Sequence, residues 1–236
     1  TVVGDKEISA SIGGTPVTDT ATVTVTVGAL STTASTLTLS ADTLSADGGT
    51  SSITVTALDQ NGNPISGLAV VLAATGTGNT LTQPPTVTDV NGQAVGLFSS
   101  TGAGAHIITA TIEATPITAT DTVVVVAGAV SAGVSTVTIL PTSIASGGST
   151  TVTVTALDAA GNPVAGQTVT LAATGADAVV TQPVAVTDAA GVATGSVSAT
   201  VLGTKTISAS IGATAVTQTQ DLTVTAVAPM LAEIVR

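Results

Sequence analysis

The feature that most constrains this chain is a stretch that occurs twice. Residues Ala57 to Gly76 read ALDQNGNPISGLAVVLAATG, and Ala156 to Gly175 read ALDAAGNPVAGQTVTLAATG. The shift from Ala57 to Ala156 is 99 residues. A self-match at that distance sets the length of one structural unit and makes the chain an array.

Ahead of the turn, Ile53, Val55 and Ala57 alternate with Thr54 and Thr56; in the copy, Val152, Val154 and Ala156 alternate with Thr153 and Thr155. A period of two puts apolar groups on one strand face and hydroxyls on the other. Branching at Cβ favours the pleated surface over a helix. Asp59 to Pro64 and Asp158 to Pro163 then interrupt the pattern. Asp bonds backbone two residues on, Gly accepts a positive φ, and Pro brings no N–H, so each ends a ladder. Beyond Gly67 and Gly166 the alternation resumes at Val70 and Leu72, and at Val169 and Leu171. The reading is strand, turn, strand. Asp59-x-Asn61-x-Asn63 also has the oxygen spacing of a calcium loop. The copy has Ala160 in place of Asn61, and no acidic residue closes either loop at the expected distance. A plain turn is preferred, and no metal is expected.

Taken in order, residues 1–28 read as the last two strands of a partial repeat, because Gly4 to Ile12 matches Gly104 to Ile112 and Gly203 to Ile211. Two strands do not stand alone in water, so the remaining strands of that unit are expected upstream or from another molecule. Residues 29–128 form a whole repeat with seven expected strands at 36–40, 50–58, 68–74, 80–87, 93–100, 104–113 and 116–127. Val87 to Gly92 carries a hairpin signal, copied at Val186 to Gly191. Residues 129–228 repeat the plan, with strands expected from Ser135 to Leu140, Thr150 to Leu157 and Thr168 to Ala173 onward. Residues 229–236 read as a junction and the start of a further repeat. The expectation is a segment cut from a longer array at both ends. Seven short strands per unit, with turn signals at intervals, predict an all-β chain of tandem antiparallel β-sandwiches. A β-helix would repeat at a far shorter period. The junctions, 28–35 and 127–134, are short and apolar, which predicts adjoining domains rather than a loose linker.

Composition narrows the function. Hydrophobic residues make up 44% of the chain, yet Phe98 is the only aromatic. The core is therefore built from Val, Ile, Leu and Ala. Charged residues are 7%, against about a quarter in ordinary soluble domains, so Thr, Ser and Gly must cover the surface. The net charge of −11, with 3 Lys and Arg against 14 Asp and Glu, argues against nucleic acid and against an anionic membrane. No Cys is present, so no disulfide or thiolate site exists. No apolar run approaches the ~18 residues of a membrane span. No signal peptide opens the sequence, and its first residues already lie inside a repeat.

The pattern V-T-A-L-D-x-x-G-N-P-[IV]-x-G-x-x-V-x-L, then V-T-D-x-x-G, then G-x-x-x-I-x-A-x-I resembles the bacterial immunoglobulin-like repeats (group 1 type) of the invasin and intimin adhesins. The resemblance covers two full repeats and one partial repeat. It implies a rod of immunoglobulin-like sandwiches on a bacterial surface, with binding held in a specialised distal domain that this chain does not contain. The absence of Trp and Tyr departs from the family pattern.

Little in the sequence carries chemistry. The only His, His106, aligns with Lys6 and Lys205. A position that alternates Lys, His and Lys reads as a solvated basic site rather than a general base. Asp59 with Asp89, and Asp158 with Asp188, could be imagined as glycosidase carboxylates, but each lies in a turn signal. No catalytic, cofactor-binding or metal residue is expected, and no enzyme activity. A Lys–Asn isopeptide cross-link, known in some surface sandwiches, is not a general feature here, because residues 29–128 contain no Lys. The abundant Ser and Thr leave room for O-linked glycans, while Asn-x-Ser/Thr is absent.

The expected function is a structural stalk segment of an extracellular adhesin or fibre, spacing an adhesive tip from a bacterial cell surface. Its expected partners are neighbouring repeats of the same chain. The alternative is a self-assembling filament subunit completed by strand exchange between copies. A carbohydrate-binding module is disfavoured, because sugar sites stack on Trp or Tyr.

Overall fold

A computed structural model describes residues 3–227, and every regular element among them is a β-strand. The expected strand within 229–236 lies outside the described residues. The chain divides into two compact units, Thr1–Val126 and Ala127–Arg236.

Within the first unit, residues up to Val25 form β1 (Gly4–Ile8), β2 (Ser11–Ile12), β3 (Thr15–Pro16) and β4 (Ala21–Val25). β1 pairs with β4 and β2 with β3, both antiparallel. The first complete repeat holds β5 (Thr36–Leu39), β6 (Thr43–Ser45), β7 (Ser51–Thr56), β8 (Val70–Ala74), β9 (Asn79–Thr82), β10 (Gln93–Ser100), β11 (Gly104–Ile112), β12 (Thr115–Pro116) and β13 (Asp121–Val126). One sheet runs β5-β7-β10-β9; the other runs β12-β11-β13-β6, with β8 on β11.

The second unit has β14 (Thr136–Leu140), β15 (Ser143–Ala145), β16 (Ser149–Thr155), β17 (Val169–Ala173), β18 (Val179–Thr181), β19 (Val192–Ser198), β20 (Gly203–Ile211), β21 (Thr214–Ala215) and β22 (Gln220–Thr225). Its sheets are β14-β16-β19-β18 and β15-β22-β20-β17, with β21 on β20. The plan of the first repeat is reproduced strand for strand.

Alternation does what the sequence predicts. Along β7, Ile53 and Val55 are buried between half-buried Thr54 and Thr56. Along β11, His106, Ile108, Ala110 and Ile112 all point inward. Each repeat therefore closes over its own core. One is built on Ile53, Val55, Phe98, Ile108, Ile112 and Val123; the other on Val137, Val152, Val154, Val197, Ile207 and Leu222. Each such side chain contributes about 1.5–3 kcal/mol by leaving water.

The strand, turn, strand reading holds, and β7 and β8 belong to opposite sheets, so the Asp59 turn carries the chain across the sandwich. Three expectations need correction. One strand is not among those expected: after β5, which matches the first expected strand, the chain passes to the other sheet as β6, which pairs parallel to β13. The sandwich is thus not wholly antiparallel. β9 stops at Thr82, not residue 87, because Pro84 and Pro85 offer no N–H to extend the ladder. Finally, residues 4–25 form four short strands where two are expected. Residues 104–112 form one strand flanked by β8 and β13, whereas the equivalent residues 4–12 have no counterpart of β8 among the described residues and split at Ser9 and Ala10.

Candidate functional site

Polar side chains that enter the sandwich are the natural place to look for chemistry, and two ionisable positions recur in both repeats. The first is the basic position on β11 and β20. The sequence reading of a solvated site is overturned there: His106 is 3% exposed and Lys205 6%. The cause is parity. His106 shares its face with Ile108 and Ile112, and Lys205 with Ile207 and Ile211, so the pleat turns both toward the core. Lys6, in the partial repeat, is exposed.

The two repeats satisfy this buried position differently. His106 Nδ1 lies 2.9 Å from the Thr75 carbonyl and Nε2 2.9 Å from the Gly102 carbonyl. Phe98 packs against the ring with centroids 5.6 Å apart. Both ring nitrogens face backbone acceptors, which leaves neither to draw a proton from a hydroxyl. Lys205 instead donates to Asp177 Oδ1 at 2.6 Å. Asp177 Oδ2 accepts from the Thr200 and Val201 N–H groups. The ammonium of Lys205, followed by the Val201 N–H, holds the Asp177 carboxyl well below its ordinary range. Its partner is an Asp, not an Asn. A glycine leaves room in each case: a Cβ at Gly76 would lie 2.6 Å from His106 Nδ1, and one at Gly175 would lie 2.8 Å from Lys205 Nζ.

The second position is the Asp of the repeated turn. Asp59 is 1% exposed and Asp158 is fully buried. Asp59 Oδ1 accepts from the N–H groups of Asn61 and Asn63, and Oδ2 from the Asn63 amide and the Gly28 N–H. Asp158 does the same with Ala160, Asn162 and Gly128. At Asp59 the Asn63 side chain and then Gly28 pull the carboxyl down. At Asp158 the largest influence is lost hydration, which raises it, yet the donors led by Asn162 outweigh that and the net shift is downward. Oxygens already holding four donors act as turn closures, and Ala160 replaces Asn61 without loss because only its N–H is used.

Asp89 and Asp188 likewise close their own turns, accepting from Asn91 and Gln93, and from Ala190 and Val192. The imagined carboxylate pairs are thus occupied within their own loops. Among the described residues no group of three or more His, Asp or Glu converges on one point. A surface cleft of about 370 Å³ lined by Val184, Val186 and Thr194 contains one ionisable group, Asp188. Among the described residues no helix is long and apolar enough to cross a membrane.

The sequence reading missed Asp177, whose signal was a paired change: where His106 becomes Lys205, Gly78 becomes Asp177 at the same 99-residue shift. It also missed Thr88 and Thr187, whose buried hydroxyls donate to the Ile65 and Val164 carbonyls and pin the crossing loops.

The sequence matches the bacterial Ig-like domain (group 1) family over residues 34–126 and 134–225. No curated protein matches it. Among solved structures, the Escherichia coli adhesin FdeC is similar at 25% identity and a TM-score of 0.57, covering 94% of this chain and 74% of that one. InvD of Yersinia pseudotuberculosis is similar at 23% identity and a TM-score of 0.59, covering 88% and 62%. Invasin, a bacterial integrin-binding protein, gives 20% identity and a TM-score of 0.65, covering 96% and 46%. The chain thus spans less than two thirds of the InvD and invasin structures.

Proposed function

This chain belongs to the bacterial Ig-like domain (group 1) family, and on that footing we propose that it is a structural stalk segment of a bacterial surface adhesin or fibre. In this reading residues 29–128 and 129–228 are spacer modules, 1–28 and 229–236 belong to neighbouring modules, and the chain lies outside the cell and catalyses nothing. The observation that carries the reading is that each repeat owns a complete hydrophobic core, while its buried Asp and its buried His or Lys are engaged by its own backbone and side chains. Such modules convert repeat number into reach.

Single-molecule pulling on the full chain tests this. Two separate unfolding events are expected, each releasing roughly 3.3–3.6 Å per residue of one repeat. A single event spanning both repeats would end the reading.

A second reading is a filament subunit in which the partial repeat is completed by strands of another copy. It is favoured by Ile8, Ile12 and Val23, which are 54%, 78% and 48% exposed, while their counterparts Ile108, Ile112 and Val123 are fully buried. Ordered fibres growing from purified chain, with residues 4–25 protected from proteolysis, would select it. Purified chain that stays unassembled at high concentration would remove it.

A further inference from the structure

Among the described residues β8 and β17 are edge strands, paired on one side only, with β11 and β20. Thr75 donates to the Ile107 carbonyl and Glu113 to the Ala69 carbonyl, so odd-numbered residues from 69 to 75 face β11. Alternation then turns the N–H and C=O of Val70, Leu72 and Ala74 outward. An outward row of this kind is a template for another extended chain.

At the middle of that row stands a side chain. Leu72 N–H donates to Gln83 Oε1 at 2.7 Å, and Gln83 Nε2 donates to the Leu72 carbonyl at 2.9 Å. The second repeat repeats both bonds between Leu171 and Gln182, at 2.7 and 2.8 Å. The orientation of each amide is forced, since the backbone N–H can only donate and the carbonyl can only accept. A primary amide carries a donor and an acceptor on one plane, as a strand residue does. Gln83 directly follows β9 and Gln182 directly follows β18, so each bridges the two sheets at their open side. Gly96 and Gly195 clear the way: a Cβ there would run into Leu72 Cδ1 and the Thr82 carbonyl, or Leu171 Cδ1 and the Thr181 carbonyl.

We propose that the amides of Gln83 and Gln182 act as surrogate strands that seal the free edges of β8 and β17 against pairing with a second copy of this chain. The seal lets apolar, β-rich modules sit close together without zipping edge to edge.

The test is sedimentation equilibrium of the full chain carrying Q83L and Q182L together. Leu keeps the bulk but can neither donate nor accept. With rising concentration the variant's average mass should climb toward twice that of one chain, beyond any rise in wild type. A core control, V55A with V154A, weakens both repeats and leaves the edges sealed; it should associate no more than wild type. Equal association by the control, or none beyond wild type in the Leu variant, overturns the proposal. Should the Leu variant fail to fold, hydrogen exchange on the wild-type chain decides. The Leu72 and Leu171 amides should exchange more slowly than the outward amides of Val70, Ala74, Val169 and Ala173. Exchange at the same rate throughout overturns it.

Discussion

The two complete repeats fill one buried corner with different chemistry. In the first, Phe98 and His106 occupy it, and the surrounding loops close tightly: a Cβ at Gly78 would lie 2.6 Å from the Gly102 N. In the second, Val197 replaces the phenyl ring, Lys205 the imidazole, Asp177 the glycine, and Val201 the glycine at 102. A ring whose two nitrogens face carbonyls and an ammonium against a carboxylate solve the same problem. Each gives an inward polar group its hydrogen bonds. What the corner demands is a donor with partners.

The largest expected effect separates the two corners by volume. Phe98→Ala should cost the first repeat about 3–5 kcal/mol, the range for deleting a buried ring, and leave the urea midpoint of the second unchanged. Val197→Ala should cost its own repeat less, because fewer buried atoms are removed. A shift of both midpoints from one substitution would break the picture of separate cores.

Next comes charge. His106→Leu removes the ring's contacts to the Thr75 and Gly102 carbonyls, which keep the Asn79 amide and the Ser100 hydroxyl as donors, so the loss should be about 1 kcal/mol, that of an ordinary hydrogen bond. Lys205→Leu should be the more damaging of the two, because it leaves the partly buried Asp177 carboxylate without its counter-ion, held only by the Thr200 and Val201 N–H groups. Equal losses in chemical denaturation would mean that the ion pair is no more than a pair of neutral contacts. Acid sharpens the same point. The Asp177 carboxyl is lowered in the folded chain, so its contribution is complete above the unfolded Asp value of ~3.9 and is lost as pH falls through the folded value. The second repeat should therefore lose stability as pH drops below about 4, and Asp177→Ala should flatten part of that loss. A pH profile unchanged by Asp177→Ala would remove the pair from the account.

Grafting the pair is a smaller and more discriminating change. His106→Lys with Gly78→Asp should leave the first repeat less stable than wild type. The new Cβ meets the Gly102 N at a φ of +76, and Phe98 still fills the space that Val197 vacates. Thermal stability at or above wild type would show that the corner is modular after all. The smallest effect should be the same in both repeats. Gly62 and Gly161 have φ of +82 and +86 with nothing within 4 Å of a Cβ. Val at either should therefore cost only backbone strain, about 1–3 kcal/mol, and unequal costs would reveal a difference between the turns that their geometry does not show.

The sequence by itself determined the repeat, the strand faces and the identity of most core residues, because each is written locally. A period of two, broken by Asp, Gly and Pro, needs no distant partner to be read. The inward face of His106 was legible in the same way, from its parity with Ile108 and Ile112. Tertiary structure alone decided which groups meet. Lys205 finds Asp177 across 28 residues, His106 finds Thr75 across 31, and Leu72 finds Gln83 from the opposite sheet. The passage of β5 into β6, and of β7 into β8 across the sandwich, belongs with these. Alternation fixes which way a side chain points, but which strand lies opposite depends on how two sheets close over one core.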